Sequence, residues 1–172
     1  VVQAMVAVQE AKGAGGRPII FALSNPKTQA EISAADCYKF SEGKAIYGSG
    51  TRFSEEVVNG QTREPGQVNN FFIFPGMSFG AISCHAKTIP ENFFMVAAEA
   101  VAQSLDTKDL EVESVVPHPS RIREVSEHVA TSVVLAAQAQ GLAGKRVGGS
   151  AAEVKAELRR AMWNPSPDLS KL

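Results

Sequence analysis

No run of apolar residues in this sequence approaches the roughly 18 needed to span a bilayer. Nor does charge of one sign dominate it: 17 Lys and Arg stand against 18 Asp and Glu, a net charge of −1. The first absence argues against a membrane-spanning helix. The second removes the electrostatic case for nucleic acid or an anionic membrane surface as partner. Cysteine is scarce as well. Cys37 and Cys84 lie far apart, with no CxxC pair and no histidine at zinc spacing, so the expected setting is a reduced, intracellular one, cytoplasm or organelle. Internal repeats, low-complexity tracts and a signal-peptide start are missing too. What remains is 172 residues, 44% hydrophobic and 20% charged. That suffices for one domain with a sizeable core, or one domain plus a helical tail.

A complete glycine turn for binding phosphate is also lacking. "GAGGRPII" offers Gly13 and Gly15 but has Pro18 where the third glycine belongs. Its glycines precede an apolar run, whereas a dinucleotide turn must follow a strand and open a helix. They read as a helix-to-strand connection. Ahead of them, Val1, Met5 and Val8 recur at helical spacing, and Gly13 supplies the stop. Pro18 to Leu23 has the length and β-branching of a strand buried on both faces. Ser33 with Asp36 three residues on opens a short helix, and "KAIYGSG" is a second strand. Helix, strand, helix, strand is the rhythm of a parallel α/β sheet.

Beyond this point the pattern changes. Asn59-Gly60 between short β-prone runs predicts a type I′ hairpin. Pro90 stands near a helix start, followed by a stripe of Phe93, Val96, Ala97, Ala100 and Val101. Ser120 reads as the N-cap of a helix with Ile122, Val125, Val129, Val133 and Ala136 on one face, ending near Gly141. A last, more polar helix from Ser150 stops at Asn164-Pro165. The expected fold is α/β: the carboxyl-terminal half of a Rossmann-like three-layer parallel sheet over residues 1–116, then a helical segment over 117–172.

Two constellations carry chemistry. In "ALSNP", Asn25 sits at the carboxyl end of the first strand, where ligands gather in open α/β sheets, and Pro26 restricts its backbone. A carboxamide fixed there can donate to a substrate carboxylate or bond a nicotinamide ribose; alternatively it forms an Asx-turn with its own backbone. In "PGQVNNFFIFPG", Asn69 and Asn70 lie at or near a helix start. Either both amides serve an anionic ligand, helped by the helix dipole, or one caps the helix and the other is exposed. His85, His118 and His128 have no triad or metal spacing and read as structural.

Four blocks, "RPIIFALSNP", "SEGKAIYGSGTRF", "PGQVNNFFIFPGMSFG" and "VVPHPSRIREVSEHVA", occur in the order found in the malic enzymes. Together they resemble the carboxyl-terminal third of that family over nearly the whole chain. The resemblance implies oxidative decarboxylation of (S)-malate to pyruvate and carbon dioxide, with NAD or NADP reduced and a divalent metal, Mg or Mn, assisting. It implies that Asn25 lines the site beside malate and the nicotinamide. It further implies that Asn69 and Asn70 contact malate, and that Ser24 helps position the cofactor. A homo-oligomer is implied for the complete protein.

The departures from the family pattern matter equally. "GSGTRF" stands where the family more often ends in Ser-Pro-Phe, so Thr51 and Arg52 reshape that loop. The family's tyrosine acid, lysine base, metal carboxylates and glycine turn belong to blocks upstream of these, and Tyr38 and Tyr47 stand in other contexts. A start on Val1 fits a carboxyl-terminal piece of a longer protein. The expectation is therefore a chain inactive by itself. The competing readings are a non-catalytic nucleotide- or partner-binding module derived from such an enzyme, and a different Rossmann-like dehydrogenase, which would lack the ordered "SNP" and "GQxNN" pair.

Overall fold

A computed structural model describes residues 1–13 and 15–164. Helix α1 (Val2–Ala11) ends where Gly13, at φ 78°, turns its N–H back to Glu10 O at 3.0 Å. Its buried face differs from the expected one. Val2 and Val6 are buried, Met5 is half-buried, and Val1 and Val8 are exposed. A helix start with valines on several sides does not choose its own face. Here the choice is made by the core of the sheet, in which Val2 joins Ile20 and Ala22.

Strands β1 (Ile19–Ala22) and β2 (Ile46–Ser49) pair in parallel, and α2 (Ala34–Phe40) crosses between them. Ser33 Oγ caps α2 by accepting from Asp36 N at 3.0 Å, as its spacing predicted. β3 (Glu56–Val58) and β4 (Gln61–Arg63) form an antiparallel hairpin. Asn59 and Gly60 both take positive φ, 52° and 81°, the signature of a type I′ turn. β5 (Gly66–Gln67) then joins β2 in parallel, giving the order β1-β2-β5.

β1 is buried on one face, not both. Ile20 and Ala22 are 9% and 4% exposed, Ile19 and Phe21 60% and 47%. Residues of α1 and α2 join one core cluster with Ile20, Ala22 and Tyr47. Both helices therefore cover the same face, and β1 lies at an edge. The apolar run was read correctly as a strand, but its second face has no cover among the described residues.

The chain then becomes helical. A 3-10 turn (Asn70–Phe72) leads into α3 (Phe74–Ser83), followed by α4 (Asn92–Gln103) and the short α5 (Thr107–Glu111). A second 3-10 turn (Pro119–Arg121) precedes α6 (Ile122–Ala139), and α7 (Ala151–Ala161) follows. Val125, Val129 and Val133 of α6 are fully buried in one core with Phe93 and Ala97 of α4 and Val154 and Leu158 of α7. Phe93, Ala97, Ala100 and Val101 of the stripe expected on α4 are buried, and Gly141 ends α6 at φ 67°.

Two boundaries shift. Ser120 is not the N-cap of α6; it lies inside the 3-10 turn, whose cap position is His118. The two prolines flanking His118 tighten that segment into a turn before the α-helix starts. α7 ends at Ala161, ahead of Asn164, and Pro165 lies outside the described residues, as does Ala14 of the glycine-rich connection. Among the described residues no helix is long and apolar enough to cross a membrane.

An ion cluster ties the start of the sheet to the segment after α5. Arg17 holds Glu113 with two hydrogen bonds, at 3.0 and 2.6 Å. Arg63 Nε lies 3.2 Å from the same carboxylate, an ion pair without hydrogen-bond alignment. Arg17 also holds the Glu113 carboxyl below the usual carboxylate range.

Candidate functional site

The three parallel strands end level with one another. Ala22 pairs with Ser49, and Ser49 with Gln67. The ladder runs slightly further, with Gly50 N–H donating to Ala22 O at 2.9 Å and Val68 N–H to Ser49 O at 2.7 Å. The loops that follow are therefore drawn side by side at the carboxyl ends of the strands. Gly50 is required for this closeness. A Cβ there would fall 2.0 Å from Leu23 O, so any side chain would force the first two loops apart.

Asn25 stands exposed on the first of these loops. Among the described residues its carboxamide makes no hydrogen bond, so the Asx-turn alternative is not formed and both ends of the amide are free. The Asn25-Pro26 peptide is cis. Ser24 is more committed. Its Oγ donates to Glu31 Oε1 at 2.7 Å, and its N–H goes to Glu31 Oε2 at 3.2 Å. These bonds hold the Glu31 carboxyl below its ordinary range. Ser24 keeps lone pairs for accepting, but its hydroxyl proton is engaged.

On the third loop the two asparagines divide. Asn69 is half-buried, and its Oδ1 accepts from Phe71 N at 3.2 Å; Asn70 is exposed. That is capping by one and exposure of the other. Among the described residues it leaves the Asn69 amide protons and the whole Asn70 carboxamide without a hydrogen-bond partner. The cap serves the 3-10 turn rather than an α-helix. α3 begins only at Phe74, and a single 3-10 turn has little dipole to lend.

The middle loop carries a residue that the sequence marked only as a departure. Arg52 projects from it with its side chain 58% exposed, beside Glu64 and His118. Lys27, from the first loop, holds Nζ 4.9 Å above the Phe53 ring. The signal that could have found Arg52 is spacing. It lies as far past the end of β2 as Asn25 past β1.

The other titratable groups are absorbed by the fold. Burial pushes the Tyr38 phenol up to about 12. Tyr47 donates from its hydroxyl to Ile32 O at 2.8 Å inside the core. The Cys37 thiol is buried and pushed up to about 11. His128 Nδ1 lies 3.1 Å from Ser104 Oγ, linking α6 to the end of α4, and His85 is an exposed residue after α3, at φ 50°. Among the described residues no group of three or more His, Cys, Asp or Glu could hold a metal ion.

Residues 1–138 match the family described as "Malic enzyme, NAD binding domain". The NADP-dependent malic enzyme of Homo sapiens is 45% identical over 119 residues, 69% of this chain and 21% of that protein. The mitochondrial NAD-dependent malic enzyme of Ascaris suum is 40% identical over 133 residues, 77% of this chain and 20% of that protein. The chain thus spans about a fifth of the length of these curated relatives. Among solved structures, the malic enzyme of Pyrococcus horikoshii superposes with a TM-score of 0.61 at 26% identity, over 83% of this chain and 28% of that one.

Proposed function

The chain belongs to the malic enzyme family, and from that premise we propose that it forms the carboxyl-terminal part of the NAD(P)-binding domain of a decarboxylating malate dehydrogenase. The reaction is oxidation and decarboxylation of (S)-malate to pyruvate and carbon dioxide, with NAD or NADP reduced. The observation that supports this reading is that Asn25, and Asn69 with Asn70, stand on the loops after β1 and β5, strands that flank β2 and end level with it. Asparagine suits such a mouth. Its N–H groups donate to carboxylate oxygens and its carbonyl accepts from the malate hydroxyl, without adding a charge that would retain the product.

In this reading Asn70, exposed and uncommitted, holds a malate carboxylate. Asn69 supports it by fixing the turn through its Oδ1 while donating from Nδ2. Asn25 orients malate against the cofactor ribose, and Ser24 offers an acceptor beside it. The nicotinamide, when bound, takes up the hydride that leaves C2 of malate. The described residues provide no metal cluster, so a divalent Mg or Mn ion would draw its ligands from elsewhere in the complete enzyme.

Two preparations test the proposal: this chain alone, and the protein at its full natural length. Malate-dependent reduction of NAD or NADP is expected from the second and not from the first. Turnover by the 172-residue chain would contradict the division of labour. Its absence from the full-length protein, with both dinucleotides and with Mg or Mn supplied, would contradict the function.

A further inference from the structure

Each of the three parallel strands carries a polar side chain three residues past its end: Asn25 after Ala22, Arg52 after Ser49 and Asn70 after Gln67. Because those ends are level and the order is β1-β2-β5, the loop bearing Arg52 lies between the two asparagine loops. We propose that Arg52 is a further ligand-contacting residue of this mouth, a guanidinium that receives an anionic oxygen group of the substrate or of the dinucleotide. The inference rests on the functional reading above and extends it to a residue at which the chain departs from the family's Ser-Pro-Phe ending.

The side chain is held rather than loose. Arg52 Nη2 lies 2.9 Å from His118 Nε2, and Glu64 Oε1 lies 3.6 Å away, an ion pair beyond hydrogen-bond reach. On its other side the ring is fixed by Ser120, whose N–H donates to Nδ1 at 3.2 Å and whose Oγ lies 2.7 Å from the same atom. The His118 backbone N–H is in turn fixed on Asp109 Oδ1 at 3.2 Å. Arg52 therefore has neighbours that set its direction while most of its five N–H donors stay unspent. Among the described residues it gives no hydrogen bond to a carboxylate. A planar fork with unspent donors, more than half exposed, suits bidentate capture of a carboxylate or phosphate. His118 and Glu64 act as positioning residues.

The test is equilibrium binding of L-malate, and separately of NAD and NADP, to the full-length protein by titration calorimetry. It compares the natural residue with Arg52→Ala and Arg52→Lys. Arg52→Ala is expected to weaken one ligand by about tenfold to a hundredfold, with Arg52→Lys recovering part of the loss and both melting within a few degrees of the parent. Loss confined to malate identifies the substrate carboxylate as the source, and loss confined to a dinucleotide identifies its phosphate. Unchanged affinity for all three ligands, or failure of the parent to bind any, overturns the inference. Should Arg52→Ala not fold, Arg52→Gln keeps a polar side chain toward His118 without the charge and reads the same outcome. Turnover is scored separately. Arginine-dependent binding without turnover sinks the functional reading alone, and turnover with arginine-independent binding sinks this inference alone.

Discussion

Asn69 and Asn70 are neighbours with different commitments, and substitution should separate them. Asn70→Ala in the full-length protein is expected to raise the malate KM by about tenfold or more, with no change in melting temperature beyond a degree or two. Asn69→Ala removes a cap as well, so it should weaken malate and also destabilise the chain by about 1 kcal/mol. Steady-state kinetics beside thermal melts read both; equal melts for the two variants would contradict the division. Away from the mouth, Glu113 makes its own pH dependence. Its carboxyl is lowered first by the hydrogen bonds from Arg17, then by the nearby charges of Arg17 and Arg63. A group depressed on folding stabilises above its unfolded value and loses that contribution as pH falls through its folded value. Glu113→Gln should therefore cost roughly 1 kcal/mol near neutrality, and the gap from the parent should close as pH falls below the ordinary glutamate range. Urea melts across that range decide it; a gap constant with pH would contradict it. At this scale the sequence was legible in placement: Ser-Asn-Pro put Asn25 just past the end of β1, where it stands exposed. It was opaque at Arg52, whose meaning depends on the level ends of strands far apart in sequence.

The elements read more easily than their faces. Asn59-Gly60 and Ser33 with Asp36 specify their structures locally, through φ and a cap, and the hairpin and α2 form where expected. β1 and α1 were placed correctly, yet their buried faces follow from what packs against them, which no local pattern records. Ser120 illustrates the same limit, since the prolines around His118 replace an α-helical start with a 3-10 turn. The contact between α3 and α6 carries a sharper requirement. Gly76 and Gly80 stand one turn apart, and a Cβ at either would come within 2.7 Å of a carbonyl oxygen of α6, that of Ser126 or Ala130. Those contacts are to backbone, which cannot swing aside. Gly80→Ala should therefore destabilise by about 1–3 kcal/mol despite alanine's better helix propensity. Chemical denaturation measures the effect, and a stabilised variant would show that α3 can move away from α6 at no cost.

Taken whole, the molecule has two cores, one between the sheet and α1 and α2, the other among the helices. The mouth lies where the sheet gives way to the helical core. Ile19 and Phe21 are exposed on β1, and a cleft of about 600 Å³ runs along that edge between Val2, Met5 and Phe40. The matched stretch covers about a fifth of the length of the curated relatives. The measurement that bears most directly on the account is malate-dependent reduction of NAD and NADP by the full-length protein, compared with its Asn25→Ala variant. The account predicts turnover by the parent and a loss of about tenfold or more in kcat/KM on removing the Asn25 carboxamide. A parent without turnover, or a variant indistinguishable from it, would contradict the assignment of this mouth to malate.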